Sequence, residues 1–220
     1  MSDIENIIKY LKDHGSVENR LGMAHYGINV QSAFGVKIPL LRVIAKEYKK
    51  KHALALELWA SGFHEARVLA GMIDDPMLVT DVQVEKWVAD FNSWDLCDQC
   101  CMNLFRYLPF AAEKAIELSR RDEEFVKRAG FALMASLASG SKNRPDKYYT
   151  PFFDCIIEQS GDDRKMVKKA VNWALRQIGK RNSALCAKAI EISHQLIDTG
   201  NKTAIWIAKD AIKELEAKKF

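Results

Sequence analysis

Chain-breaking residues are scarce in this chain of 220 residues, which holds 11 Gly and 5 Pro. That is too little punctuation for a many-stranded protein. No uninterrupted apolar stretch reaches membrane-spanning length, so no transmembrane helix is expected. The opening Met1-Ser2-Asp3-Ile4-Glu5 lacks the basic region and apolar run of a signal peptide, and a cytoplasmic protein is expected. The five cysteines, Cys97, Cys100, Cys101, Cys155 and Cys186, lack the spacing of a disulfide framework. Cys97-x-x-Cys100 has no second CxxC or HxxxH to complete a metal site, so no metal centre is expected. These cysteines read as buried thiols on helices. Strong net charge is also missing: the formal value is +4, which by itself implies no nucleic-acid partner. Disorder is excluded by a composition 48% hydrophobic and 28% charged.

What the chain does have is helical periodicity from end to end. Ser2 with Glu5, and Thr80 with Gln83, have the spacing of capping boxes. Pro39 stands where a helix would begin, ahead of Leu40, Leu41, Val43, Ile44 and Tyr48. Cys97, Cys100, Cys101, Leu104, Phe105 and Leu108 fall at i, i+3, i+4, i+7, i+8 and i+11, which predicts one amphipathic helix through Leu108. The expectation is roughly a dozen helices and no strand. Phe125-Val126-Lys127-Arg128-Ala129 and Met166-Val167-Lys168-Lys169-Ala170 share a pattern 41 positions apart (166 minus 125), each following an acidic turn. His64–Ala70 and Ala204–Ala208 are looser echoes. A repeat near 40 residues predicts a HEAT-like α-solenoid of antiparallel helix pairs, with one basic concave face and a single domain over residues 1–220.

Charge is segregated along the chain. Arg164, Lys165, Lys168, Lys169, Arg176, Lys180, Arg181 and Lys188 fall in one stretch without an acid, from Arg164 to Ile190. From Met72 to Cys100 the acids are Asp74, Asp75, Asp81, Glu85, Asp90, Asp95 and Asp98, against the single base Lys86. A basic surface beside an acidic patch follows. On a helical wheel Lys169, Trp173, Arg176 and Lys180 form a ridge along the edge of the stripe made by Met166, Val167, Ala170, Val171 and Ala174. A Trp bracketed by cations suits a phosphate backbone and an aromatic or cationic ligand, although a core role for Trp173 fits the spacing equally. In the segment from Asn92 to Asp98, Ser93 is a candidate cap, and Trp94 and Asp98 lie one turn apart. Asp95 is explained by the positive end of the helix dipole. Asp98 is not, and a carboxylate at a core edge needs either an Arg partner or a chemical role. Arg128 is placed either to pair with Asp98 or to grip a phosphate. For His64, Glu65 and Arg67, capping and surface pairing suffice, and the basic turn from Ser141 to Lys147 carries no assignment.

Ser93-Trp94-Asp95-Leu96-Cys97-Asp98, Val126-Lys127-Arg128-Ala129, Lys169-Ala170-Val171-Asn172-Trp173-Ala174-Leu175-Arg176 and Ile207-Ala208-Lys209-Asp210-Ala211, in this order and spacing, resemble the AlkD-type DNA alkylation repair family. The resemblance is clearest from about Trp59 onward. It implies stacked HEAT-like helical pairs, DNA on the concave face, and excision of N3- and N7-alkylated purines from duplex DNA without a deep base pocket or cofactor. It further implies that Trp94 and Trp173 contact the lesion, that Asp98 is the catalytic carboxylate and that Arg128 grips the backbone. Lys127, Lys168, Lys169, Arg176, Lys180 and Arg181 are the candidate DNA-binding bases, and a monomer is expected. A non-catalytic nucleic-acid-binding HEAT-like protein and a protein scaffold are the competing readings.

Overall fold

A computed structural model describes residues 2–140 and 143–220. Ser141 and Lys142, which open the basic turn, lie outside the described residues. Among those described there are thirteen α-helices, two short 3-10 turns and no strand. None of the helices is long and apolar enough to cross a membrane. The helices are α1 (Asp3–Asp13), α2 (Val17–His25), α3 (Ile38–Glu47), α4 (His52–Ala60), α5 (His64–Ile73), α6 (Asp81–Ala89) and α7 (Trp94–Asn103), then α8 (Ala111–Ser119), α9 (Glu124–Ala138), α10 (Thr150–Gln159), α11 (Lys165–Gly179), α12 (Ser183–Asp198) and α13 (Lys202–Glu216). Contacts divide them into two compact units, Met1–Pro109 and Phe110–Phe220.

Local rules set most of the helix ends. Ser2 and Glu5 form a reciprocal box, with Ser2 N–H donating to Glu5 at 2.8 Å and Glu5 N–H to Ser2 Oγ at 3.4 Å. Thr80 caps Gln83 N–H at 3.2 Å, but the reciprocal bond expected of a box is absent. The Gln83 amide donates instead to the carboxylate of Asp74 at 2.6 Å. That buried carboxylate has lost water and needs donors more than an exposed cap does. The helix expected to run through Leu108 stops at Asn103: Leu104 leaves helical space at φ −127°, ψ −63°, and a 3-10 turn follows over Phe105–Tyr107. Pro109 favours this break, since the residue before a proline is pushed to extended backbone, and Leu108 has ψ 143°.

In the N-terminal unit α5 is the central element, packed on α3, α4 and α7. Its buried side runs through Ala66, Val68, Leu69, Ala70 and Ile73. In the C-terminal unit the two sequence repeats become α9 and α11, each 15 residues long and packed on each other. α9 also packs on α8, and α11 on α12 and α13. α9 is buried without a break from Val126 to Ala138, as expected of a helix covered on all sides. Close approach explains its small residues. A Cβ built on Gly130 would stand 2.3 Å from Ser119 N and 2.8 Å from Ala115 O, both main-chain atoms of α8. At Gly179 the obstruction is the methyl ends of Leu215, 2.8 and 2.9 Å away, together with the Ala189 Cβ at 3.0 Å.

Gly130→Ala must therefore push two backbones apart, and is expected to cost about 1–3 kcal/mol or more by overpacking. Gly179→Ala should cost less, because Leu215 can turn. Urea unfolding midpoints of the two variants test the order.

Candidate functional site

The N-terminal unit carries Trp94 and Asp98 on α7. Trp94 is half-buried, and its indole N–H donates to the Tyr26 carbonyl at 3.0 Å, tying it to the chain just after α2. Asp98, one turn on, is only 8% exposed. Ser93 occupies the N-cap position but makes no side-chain capping bond, contrary to expectation. Asp95 has more than the helix dipole to hold it: its carboxylate takes a 2.8 Å hydrogen bond from His64 Nε2. Cys97, Cys100 and Cys101 are fully buried free thiols. Burial pushes the Cys100 thiol well above its ordinary range, which removes the reactive thiolate.

His64 and Glu65 are not the surface residues the sequence suggested. Both are buried, at 5% and 1% exposure. Glu65 accepts three main-chain N–H bonds, from Phe34 at 2.9 Å, Gly35 at 2.7 Å and Val36 at 3.1 Å. The loop before α3 is thus wrapped around one carboxylate. Three donors make a buried charge tolerable where none would not. Arg67 does pair near the surface, with Asp90 at 3.1 Å, while its guanidinium lies 5.3 Å above Trp59. Burial alone would lower the His64 pKa, but the Asp95 hydrogen bond and charge outweigh it and hold the imidazole above 6.5. The same bond holds the Asp95 carboxyl below 3.8 against its own burial. Nothing in the sequence linked these residues, which lie 31 positions apart.

The C-terminal unit carries Arg128 and Trp173. Arg128 is 6% exposed, and its Nη1 donates to the Met166 carbonyl at 2.6 Å, at the first turn of α11. Trp173 is half-buried; with the Gln177 amide turned to present oxygen, Oε1 accepts from the indole at 3.2 Å and from Lys180 at 3.0 Å. The basic ridge divides by partner. Lys169 is exposed, with no ion-pair partner among the described residues. Arg176 bonds Asn172 at 2.9 Å and pairs with Glu214, which also takes Lys180 at 2.6 Å. The Lys180 bond, reinforced by Arg176, keeps the Glu214 carboxyl below its ordinary value despite burial. Lys127 is buried, donating to Gln159 at 2.7 Å and lying 3.4 Å from Asp162. Arg181 donates to the Ala138 carbonyl and stacks 4.5 Å above Tyr149. Lys168 lies 5.3 Å over Trp206. In the basic turn, Arg144 stacks on Tyr148 at 4.5 Å. Glu214 was missed from sequence because it sits 38 residues from Arg176, on α13.

Paired helices at this repeat length, with a tryptophan on each of two helices and basic residues along α11, define a HEAT-like helical repeat protein. The sequence model described as DNA alkylation repair enzyme matches residues 7–215, and the chain belongs to that family. A solved structure of a protein from a new family, related to the HEAT-like repeat DNA glycosylases and with affinity for branched DNA structures, has the same fold. It superposes with a TM-score of 0.76 at 23% identity, over 88% of this chain and 83% of that one. No curated protein matches.

The His64–Asp95 pair gives the protein a pH signature. The raised imidazole stabilises the fold fully below 6.5, and this contribution is lost as pH rises through the folded value. The depressed carboxyl stabilises fully above 3.8, and this is lost as pH falls through its folded value. The stability difference between wild type and His64→Gln should therefore be largest between those two values and shrink at alkaline pH. Thermal midpoints across pH 3 to 9 measure it, and a pH-independent difference would refute the pairing.

Proposed function

We propose that the protein is a monofunctional DNA glycosylase that releases N3- and N7-alkylpurines from duplex DNA, acting as a monomer through one functional module over residues 1–220. The observation that carries this reading is Asp98: a carboxylate 8% exposed, one helical turn from half-buried Trp94, in a chain of the DNA alkylation repair enzyme family. An alkylated N3 or N7 places a positive charge on the purine. Cleavage sends the electron pair of the C1′–N bond to the base, which leaves neutral and needs no acid. The deoxyribose becomes oxocarbenium-like, water adds its oxygen to C1′, and a proton is released. A desolvated carboxylate stabilises that cation and orients the water. The faces of Trp94 and Trp173 attract a cationic sugar or lesion, worth about 0.5–2 kcal/mol each.

Arg128, Lys168 and Lys169 are assigned to the DNA backbone. Arg176 and Lys180 share Glu214 and Lys127 has its own partners, so these three contribute to binding mainly by holding helices in place. A second reading, a non-catalytic binder of branched nucleic acid, is favoured by the stated affinity of the structural relative. It predicts tight, salt-dependent binding to branched DNA with no base released.

Release of 7-methylguanine or 3-methyladenine from methylated duplex separates the two readings. Asp98→Asn should lower release by roughly 10²–10³-fold while duplex affinity stays within about twofold. Unchanged release would remove Asp98 from the chemistry. Lys169→Ala should weaken binding to all sequences and reduce the salt slope by about 1. Arg176→Ala should instead lower the thermal midpoint, because it unties α11 from α13.

A further inference from the structure

Beside Trp94 lies a cleft of about 440 Å³, within the roughly 300–1,000 Å³ of small-molecule sites. It belongs wholly to the N-terminal unit. Its walls are apolar: Met23 from α2, Ile28 and Val36 from the loop after it, Ile38 from α3 and Val68 from α5. Trp94 supplies an aromatic wall. Polar groups are few and grouped. His64 and Asp95 meet as a hydrogen-bonded pair. Glu65, closed off by its three main-chain donors, and the exposed Lys37 also line it, together with two amides: Asn19, whose Nδ2 is taken by the Gly35 carbonyl at 3.0 Å, and Gln99, whose Oε1 is taken by Asn103 at 2.9 Å. Each thereby keeps one amide atom of opposite character, an acceptor on Asn19 and a donor on Gln99.

We propose that this cleft binds the released neutral purine base, the product of the reaction proposed above, on which this inference rests. The flat apolar space beside an indole suits a bicyclic aromatic, and one donor with one acceptor suits a purine edge. The partners of the buried carboxylates decide between lesion and product. Asp95 is already bonded to His64, and Glu65 to three main-chain N–H groups, so neither is left to neutralise a second charge in this apolar space. A cationic purine there would lose its water without gaining a counter-ion. Bond cleavage discharges the purine, which converts a ligand the cleft rejects into one it accepts. The adjoining α2 has no buried residue, and the loop after it is tied to Trp94 through the Tyr26 carbonyl.

The test uses the full chain without DNA and two bases that differ by one methyl group. At about pH 5.5, 7-methylguanine is neutral, whereas 7,9-dimethylguaninium keeps its N1–H and is a cation. Titration followed by calorimetry and indole fluorescence should show saturable binding of the neutral base, and binding at least roughly tenfold weaker for the cation, about 1.4 kcal/mol. Val68→Phe should abolish the binding by filling the cleft. Met23→Trp, at a half-exposed position on its rim, does the same without burdening the core. Both variants should keep single-turnover release from methylated duplex within about twofold, since neither residue touches the reacting atoms. Absence of saturable binding, equal affinity for the cation, or folded variants that bind the base normally would each overturn the inference. Release without base binding sinks this site alone; base binding with this charge preference but no release leaves the site and removes the glycosylase.

Discussion

Hydrogen bonds that reach from one helical repeat to the next hold both units in register. Glu65 reaches 29 to 31 residues back to three loop amides, and His64 reaches 31 forward to Asp95. Arg128 spans 38 residues to the Met166 carbonyl, Asn172 spans 35 to the Ile207 carbonyl, and Arg181 spans 43 back to Ala138. Stacking of apolar stripes brings the helices together without fixing their register. A buried polar group left unpaired costs more than a made bond gains, so each of these contacts penalises a slipped arrangement. The small residues of α9 act in the same direction, because α8 comes within contact of Gly130.

This constraint shapes the electrostatics of the candidate DNA surface. A basic run in sequence is not a basic surface in space. The stretch from Arg164 to Lys188 has no internal acid, yet Glu214 on α13 meets both Arg176 and Lys180, and Asp162 meets Arg164 at 2.5 Å. Positive charge left for a phosphate backbone is concentrated toward Lys169 and Lys165, both exposed near the start of α11. Aromatic faces take up several remaining cations, with Lys168 over Trp206 and Arg181 over Tyr149. These preserve the charge while fixing its position, as a rigid partner such as DNA requires.

The acidic stretch was misleading in the opposite direction. Read as a patch, it contains carboxylates with separate duties. Asp74 collects Gln83 and His52, Asp90 joins Trp59 and Arg67, and Asp95 holds His64. Asp98 is buried as Asp74 is and sits beside Trp94, the juxtaposition from which the proposed chemistry starts. Its neighbour Asp95, dismissed from sequence as a dipole residue, proves to shape the cleft.

Helix content, the 41-residue recurrence that became α9 and α11, and the Ser2–Glu5 cap were all legible in the chain, because each depends on residues within a turn or on a repeating period. The placement of Trp94 and Asp98 one turn apart was legible for the same reason. The break at Leu104, the diversion of Gln83 to Asp74, the burial of His64 and Glu65, and the neutralisation of Arg176 by Glu214 were not. The first answers to Pro109 beyond the helix, the second to a buried carboxylate on the preceding loop, and the last two to partners about one repeat away; a spacing pattern states which face a residue occupies without stating what it meets there. The sequence by itself determined the helices, their pairing period and the residues worth testing. Tertiary structure decided which charges are spent inside the protein and that a cleft opens beside Trp94, since burial and the satisfaction of buried polar groups are properties of helices brought together.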